Sequence, residues 1–108
     1  MQQFKRLSVQ DAQPLIAAGD AIVIDIRDPD SFKQGRINGS SHLENAGIPD
    51  FVQNHEYDDT IIVCCYHGNM SQAAAQFLVQ QGFDDVYSLD GGFTEWAQVY
   101  PQQVDSGG

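Results

Sequence analysis

Residues 61–80, IIVCCYHGNMSQAAAQFLVQ, limit the folds open to this chain more than any other stretch. The first six residues are apolar with hardly any polar alternation, which is typical of a strand covered on both faces. A short polar loop with one glycine follows, and we expect Cys65 to lie where the strand passes into this loop. A core-facing helix is then predicted from apolar residues at helical spacing: Met70, Ala73, Ala74, Phe77 and Leu78.

The rest of the chain alternates strands with helices. Strands are predicted at 21–26, 41–43, 60–65 and 85–89. Helices are predicted at 9–18, 29–34 and 49–54, and a last one around Trp96. Such alternation indicates an α/β fold in which a central parallel sheet has helices on both faces. In these sheets the functional crevice lies at the carboxyl ends of the strands.

Length and composition fit one domain over residues 1–108, with residues 101–108 expected to be a frayed tail. The N-terminus lacks the apolar segment of a signal peptide, and the longest apolar run is too short to span a bilayer. We therefore expect a cytoplasmic protein without a membrane partner, as a monomer or weak dimer. The formal charge of −10 argues against binding nucleic acid or anionic membranes.

The two cysteines, Cys64 and Cys65, are adjacent in the predicted strand and point to opposite faces, which excludes a disulfide between them. Free thiols suit a reducing compartment. The three histidines at 42, 55 and 67 form no metal-ligand spacing with the cysteines. We expect no metal site.

Cys65 is the candidate nucleophile of the chain. All five basic residues lie between positions 5 and 36, so an anion must be held mainly by local dipoles. A loop that curls around the sulfur, followed by a helix N-terminus, supplies such dipoles and favours the thiolate. The predicted donors are mainly the backbone amides of the loop: Tyr66, His67, Gly68, Asn69, Met70 and Ser71.

Simpler structural roles are open to several of these residues. Cys64, one position earlier in the strand, fits a buried structural cysteine. The imidazole of His67 could act in acid–base chemistry, but a solvent-facing position is favoured, because a preformed thiolate needs no general base. Met70 fits a core or pocket-wall position, and Ser71 fits a plain N-cap.

Arg27 follows the end of a predicted strand, as Cys65 does. Its guanidinium either pairs with a carboxylate such as Asp25 or Asp90, which we favour, or contacts substrate. Gly91-Gly92 and Trp96 are most simply turn and packing residues.

Five features in chain order carry a resemblance to a known family: Asp25 and Arg27 after a buried strand, Phe32, Gly35 with Gly39, the loop CYHGN from Cys65, and GGFTEW near the end. Together they resemble the rhodanese family, in particular its small single-domain thiosulfate sulfurtransferases. The resemblance implies a central parallel sheet flanked by helices. It also implies transfer of sulfane sulfur from thiosulfate, through a persulfide on Cys65, to cyanide or a dithiol such as thioredoxin. We expect the reaction to release sulfite and to require no cofactor.

The chain departs from the family pattern at three positions. Arg36 and Ser40 stand where the family usually has His and a small residue. Met70 ends the active-site loop, where Arg, Ser or Thr is common, and it removes one side-chain contact to a bound anion.

Two other functions are open to the same fold. A cysteine phosphatase or arsenate reductase needs an arginine at the end of the loop to clamp phosphoryl oxygens. Here Ser71 lies six positions after Cys65, and no Lys or Arg follows Arg36. The other alternative is a sulfur-carrier or binding module that has kept the fold and lost the chemistry.

Overall fold

The computed structural model describes residues 3–107, a chain of short strands and helices. In order, the elements are β1 (Lys5–Leu7), α1 (Val9–Ala17), β2 (Ile22–Asp25), α2 (Pro29–Gln34), β3 (Arg36–Ile37), β4 (Ser41–His42), α3 (Ile48–Asn54), β5 (Thr60–Cys64), α4 (Met70–Gln80), β6 (Asp85–Leu89), α5 (Gly92–Val99) and β7 (Val104–Asp105). Two 3-10 turns, Asn45–Gly47 and Pro101–Gln103, complete the description. No helix within this part of the chain has the length and apolar character needed to cross a membrane.

Five strands form one sheet in the order β1-β6-β5-β2-β4. Each neighbouring pair is parallel, so the carboxyl ends of all five strands lie at one edge. The register places Asp25 beside Cys64, and Val63 beside Ser88. The predicted α/β class with a central parallel sheet is confirmed.

The side chains of β5 divide the core into two halves. Ile61 and Val63 pack with residues of α3 and α4, whereas Ile62 and Cys64 pack with residues of α1 and α5. This division is the period-two alternation of a strand buried on both faces, and it confirms helices on both sides of the sheet. Cys65 is the next residue in the alternation, so its side chain lies on the same side of the sheet as those of Ile61 and Val63, next to α4.

Only part of the apolar stripe predicted for α4 faces the core: Leu78 is buried there, and Ala74 packs against it. The residues that α4 buries are Ser71, Ala75, Leu78 and Val79, so Leu78 alone belongs to both sets. Met70 is 57% exposed and Phe77 is 41% exposed. The predicted stripe lines one wall of an open groove of about 800 Å³, which the end of β2 and the start of α3 close on the other side. Periodicity identifies an apolar face of a helix, but it does not show whether another element covers that face.

The C-terminal segment also differs from the expectation of a frayed tail. Val104 and Asp105 pair antiparallel with β3, and the Gly107 amide donates to the Lys33 carbonyl at 2.8 Å. The indole Nε1 of Trp96 donates to the Gln103 carbonyl at 3.1 Å. These bonds hold the segment through residue 107, and Gly108 lies outside the described residues.

Strand β1 is not among the strands predicted from the sequence. It is an edge strand whose Lys5 and Arg6 are exposed, so it lacks the apolar run of a buried strand. Ion pairs of 2.8 Å join Lys5 to Asp85 and Arg6 to Asp90, which ties β1 to its neighbour in the sheet.

Candidate active site

The sulfur of Cys65 lies in a cup of hydrogen-bond donors at the carboxyl edge of the sheet. The backbone amides of Gly68 and Ser71 each donate to Sγ at 3.2 Å, and the Ser71 hydroxyl lies 3.3 Å from it. Helix α4 begins at Met70, so its N-terminus, which carries a partial positive charge, adjoins the sulfur. The arrangement can hold a negative charge on Sγ without a cationic side chain.

These contacts lower the pKa of the Cys65 thiol. Burial acts against ionisation, because the residue is only 1% exposed. The hydrogen bond of the Ser71 hydroxyl and those of the Ser71, Gly68 and His67 amides outweigh burial, and the net shift is below the ordinary value. A lowered pKa makes the Cys65 thiol easier to ionise than an ordinary cysteine.

The six residues predicted to surround the sulfur divide into two groups. Gly68 and Ser71 donate to Sγ directly, and the His67 amide contributes to the lowered pKa. Hydrogen bonds to this sulfur from Tyr66, Asn69 and Met70 are not found within residues 3–107. Asn69 and Met70 lie where α4 begins, and their side chains are exposed.

Gly68 gives the loop its curvature. Its φ is +90°, a left-handed conformation that strongly favours glycine. A Cβ at this position would come within 2.9 Å of the Leu89 carbonyl oxygen and 3.0 Å of the Gly91 nitrogen. The loop thus packs directly on the backbone that follows β6, and a side chain here would push the amides away from the sulfur.

Helix α5 holds the other side of the loop. The amides of Phe93 and Thr94 donate to the carbonyls of Cys65 and Tyr66 at 2.9 and 3.1 Å. With these two carbonyls bound outside the cup, the loop amides are free to point inward. The approach requires Gly92, where a Cβ would lie 2.5 Å from the Tyr66 carbonyl oxygen. This role goes beyond the turn predicted for Gly91-Gly92, and its signal in the sequence is an isolated Gly-Gly at the start of a helix.

Ser71 is not the N-cap that the sequence predicted. Asn69 occupies the cap position, and Ser71 lies inside the first turn of α4, fully buried. The Ser71 hydroxyl contacts the Cys65 sulfur on one side and the Ser88 hydroxyl, at 2.7 Å, on the other. The Cys65 thiol can donate to the Ser71 oxygen, whereas an ionised Cys65 can only accept, so the hydroxyl then becomes a second donor from Ser71 to the sulfur.

The phenol of Tyr66 ties the loop to the start of α2. Its hydroxyl hydrogen bonds with the Asp28 carboxylate and lies 3.2 Å from the Ser31 hydroxyl. Asp28 is the N-cap of α2, with its other hydrogen bonds from the amide and hydroxyl of Ser31. The Tyr66 bond and then the Ser31 bonds lower the pKa of Asp28 to about 2, so the carboxylate remains charged at neutral pH.

Arg27 forms the buried ion pair that the sequence favoured. Its guanidinium donates to both carboxylate oxygens of Asp25, with Nη2 at 2.8 Å, and to the Gly35 carbonyl at 2.6 Å. The Phe93 ring lies beneath it, 4.2 Å from ring centroid to Cζ. Asp90, the other carboxylate considered, pairs with Arg6 instead. At 5% exposure, Arg27 chiefly joins β2, α2 and α5 around the site.

Comparison with known proteins identifies the family. The sequence model of the Rhodanese-like domain matches residues 8–99 of this chain. The chain belongs to the rhodanese family. Two relatives carry the name thiosulfate sulfurtransferase GlpE: one from Ectopseudomonas mendocina is 51% identical over 99% of this chain and 97% of its own length, and one from Pseudomonas fluorescens is 50% identical with the same coverage.

Solved structures agree with the rhodanese assignment. A rhodanese-related protein of Thermoplasma volcanium is 28% identical, with a TM-score of 0.76 over 90% of this chain and 94% of that one. The rhodanese-like domain of an Anabaena protein is 19% identical, with a TM-score of 0.82 over 98% of this chain and 80% of that one. The second likeness shows the shared fold alone.

The remaining residues singled out in this rhodanese lie away from the sulfur or face solvent. The His67 side chain is exposed, as favoured from the sequence, and Met70 forms part of the groove wall. Arg36 donates to the carbonyls of Phe32 and Gly107 at 3.3 and 3.0 Å, and the Ser40 hydroxyl donates to the Ile37 carbonyl at 2.7 Å. The two departures from the family pattern at positions 36 and 40 therefore serve the backbone around β3.

Proposed function

We propose that this rhodanese is a thiosulfate sulfurtransferase that carries sulfane sulfur as a persulfide on Cys65. The observation that carries the proposal is the pair of amide donors, Gly68 and Ser71, each 3.2 Å from a cysteine sulfur at a helix N-terminus. The GlpE name of relatives at about half identity supports thiosulfate as the donor. Two free thiols also suit a reducing compartment such as the cytoplasm.

In the first half-reaction, the Cys65 thiolate attacks the outer sulfur of thiosulfate. A new S–S bond forms, the S–S bond of thiosulfate breaks, and its electron pair leaves with sulfite. The total charge of −3 is the same before and after, with the persulfide carrying one negative charge and sulfite two. Every participant is anionic, so fixed amide dipoles that bind negative charge are the appropriate form of stabilisation.

In the second half-reaction, an acceptor attacks the terminal sulfur of the persulfide. Cyanide would leave as thiocyanate, and the Cys65 thiolate would be regenerated with no change in total charge. A dithiol, with thioredoxin as one candidate, would take the same sulfur as a persulfide of its own. This is covalent, ping-pong catalysis in which the protein supplies the nucleophile and the anion site.

The composition of the loop disfavours phosphoryl or arsenate chemistry. Those reactions develop charge on three oxygens, which an arginine clamps in a bidentate manner. The chain has no Lys or Arg after Arg36, and position 71 is a serine whose hydroxyl contacts sulfur. The donors present converge on one atom, the Cys65 sulfur, which favours sulfur chemistry over the clamping of three oxygens.

Intact mass after incubation with thiosulfate tests the proposal. The wild type and Cys64→Ala should both gain one sulfur atom, and Cys65→Ala should gain none. Adding cyanide should remove the extra sulfur and release thiocyanate. A gain that survives in Cys65→Ala would overturn the assignment, and a folded wild type that gains no sulfur would favour a binding module.

A further inference from the structure

A second buried hydroxyl lies behind the one that contacts the nucleophile. Ser88, on β6, is fully buried, and its Oγ is 2.7 Å from the Oγ of Ser71. The Ser71 Oγ is in turn 3.3 Å from the Cys65 sulfur. Three side chains from three different elements thus form one continuous hydrogen-bonded line that ends on the reactive atom.

The position of Ser88 is one that a strand normally fills with an apolar residue. Val86, two residues earlier on the same face of β6, packs in the core cluster with Ala75, Leu78 and Val79 of α4. A buried hydroxyl among such neighbours is destabilising unless it is hydrogen-bonded. Its hydrogen-bond partner in the described chain is Ser71, so the reason for a serine at this position lies in that bond.

The protonation states define the direction of the hydrogen bonds. A thiolate only accepts, so the Ser71 O–H must point at the sulfur when Cys65 is ionised. The Ser71 oxygen then has free lone pairs, and the Ser88 O–H can donate into them. Such a chain polarises each bond in turn and strengthens the last one, which is charge-assisted. Without Ser88, the Ser71 hydroxyl could rotate away from the sulfur.

We propose that Ser88 is a positioning residue that aims the Ser71 hydroxyl at Cys65 and so stabilises the thiolate from one residue further away. The inference rests on the proposed role of Cys65 as the nucleophile. Ser88 itself touches neither the sulfur nor a substrate, and its effect must pass through Ser71.

The rate of alkylation of Cys65 by iodoacetamide against pH tests this role. The measurement is made in a Cys64→Ala background, which leaves one thiol. We expect Ser88→Ala to raise the pKa of Cys65 by about half a unit to one unit, the effect of weakening one hydrogen bond to a charged group. At a pH below the pKa of Cys65, alkylation should slow roughly threefold to tenfold, because there a pKa rise of that size lowers the thiolate fraction by that factor.

A double mutant distinguishes an effect of Ser88 that passes through the Ser71 hydroxyl from a general disturbance of the site. Ser71→Ala should raise the pKa of Cys65 at least as much as Ser88→Ala does. In the Ser71→Ala background, a further Ser88→Ala change should leave the pKa unaltered, since the intermediate hydroxyl is gone. Additive shifts would overturn the proposal, because they would mean that Ser88 acts on the loop by another route.

Ser88→Thr and Ser88→Val form a matched pair of equal shape, and they also decide the question if Ser88→Ala does not fold. Threonine keeps the hydroxyl and should retain the wild-type pKa, whereas valine should raise it as alanine does. Equal pH profiles of alkylation for the threonine and valine variants would contradict the proposal. Alkylation needs no sulfur transfer, so its result is independent of whether Cys65 gains sulfur from thiosulfate. If the Ser88 variants shift the pKa of Cys65 but the wild type gains no sulfur, the proposed function is rejected and the role of Ser88 is still supported.

Discussion

Cys64 and Cys65 are neighbours in the chain, and the structure gives them opposite surroundings. Cys64 is fully buried on the side of α1 and α5, among apolar residues that include Leu89 and Trp96. Burial, and then the nearby charge of Asp25, raise the pKa of its thiol well above the ordinary value. Cys65 is also buried, but polar donors from the loop and α4 surround its sulfur and lower its pKa.

The contrast shows that the identity of the nearest atoms sets the direction of each pKa shift here, more than the degree of burial. Both cysteines are at most 1% exposed. Strand alternation sends one thiol to each face of the sheet. Cys64 lies in a packed core, whereas Cys65 lies at a helix N-terminus where the Ser71 amide donates to its sulfur. A thiolate is penalised in the first environment and stabilised in the second.

Exchanging each cysteine for serine gives the strongest test of this contrast. We expect Cys65→Ser to lower thiocyanate production by roughly a thousandfold or more, as loss of a nucleophile does. Cys64→Ser should keep the activity per folded molecule but lower the free energy of unfolding by about 1–3 kcal/mol, because a hydroxyl replaces a thiol in an apolar cluster. Steady-state kinetics and urea unfolding measure the two effects. Loss of activity in folded Cys64→Ser would contradict the division of roles.

Gly68→Ala tests whether the cup depends on its backbone geometry. The added Cβ meets the Leu89 carbonyl oxygen at 2.9 Å, so the loop must move and the amides must leave the sulfur. We expect activity to fall roughly ten- to a hundredfold, consistent with loss of preorganised donors. Gly19→Ala is the matched control, because φ there is +73° and nothing lies within 4 Å of the new Cβ.

Both glycine variants should lose about 1 kcal/mol of the free energy of unfolding to backbone strain, and Gly68→Ala should lose more, because its Cβ also meets the Leu89 carbonyl oxygen. Only Gly68→Ala should lose activity. Equal kinetic losses in the two variants would show that strain, and not displacement of the amides, reduces the rate.

The pH dependence of stability should have opposite signs for the two thiols. The pKa of Cys65 is lowered on folding, so its contribution to the free energy of unfolding rises with pH, from the folded pKa up to the unfolded value near 8.5. The pKa of Cys64 is raised on folding, so its contribution falls as pH rises above about 8.5.

Urea unfolding over a pH series, with each Cys→Ala variant subtracted from the wild type, separates these contributions. The free energy of unfolding of the wild type minus that of Cys65→Ala should increase between neutral pH and 8.5. The same difference for Cys64→Ala should decrease at higher pH. Slopes of the same sign would mean that the two sites are not electrostatically distinct.

Among the changes around Cys65, Tyr66→Phe should have the smallest effect on activity. It removes the bond to Asp28 and the contact with Ser31, while the ring and the loop backbone remain. We expect activity to fall roughly two- to fivefold, in line with loss of one exposed hydrogen bond. Asp28→Ala should act on the same tether, so the double variant should be no slower than the single ones. A larger loss in the double variant would indicate that Asp28 acts independently of Tyr66.

Much of this site could be predicted from residues 61–80. The position of Cys65 after a buried strand, the tight turn at Gly68 and the following helix are local features, and the structure has all three. The periodicity of α4 predicts a stripe that faces the core, but it does not reveal that α3 leaves much of that face open. Serine at a helix start is usually a cap, which predicts that role for Ser71, whereas the structure has Asn69 at the cap position.

By itself, the sequence determined the alternation of strands and helices, the separation of the two thiols by strand parity, and the loop that can curl around a sulfur. These follow from apolar periodicity and glycine conformation, which act over a few residues. Tertiary structure alone decided that Phe93 and Thr94 bind the outward carbonyls of the loop and that Ser88 meets Ser71. Those partners are distant in the chain, and only the packing of β6, α4 and α5 at one edge of the sheet brings them within hydrogen-bond reach.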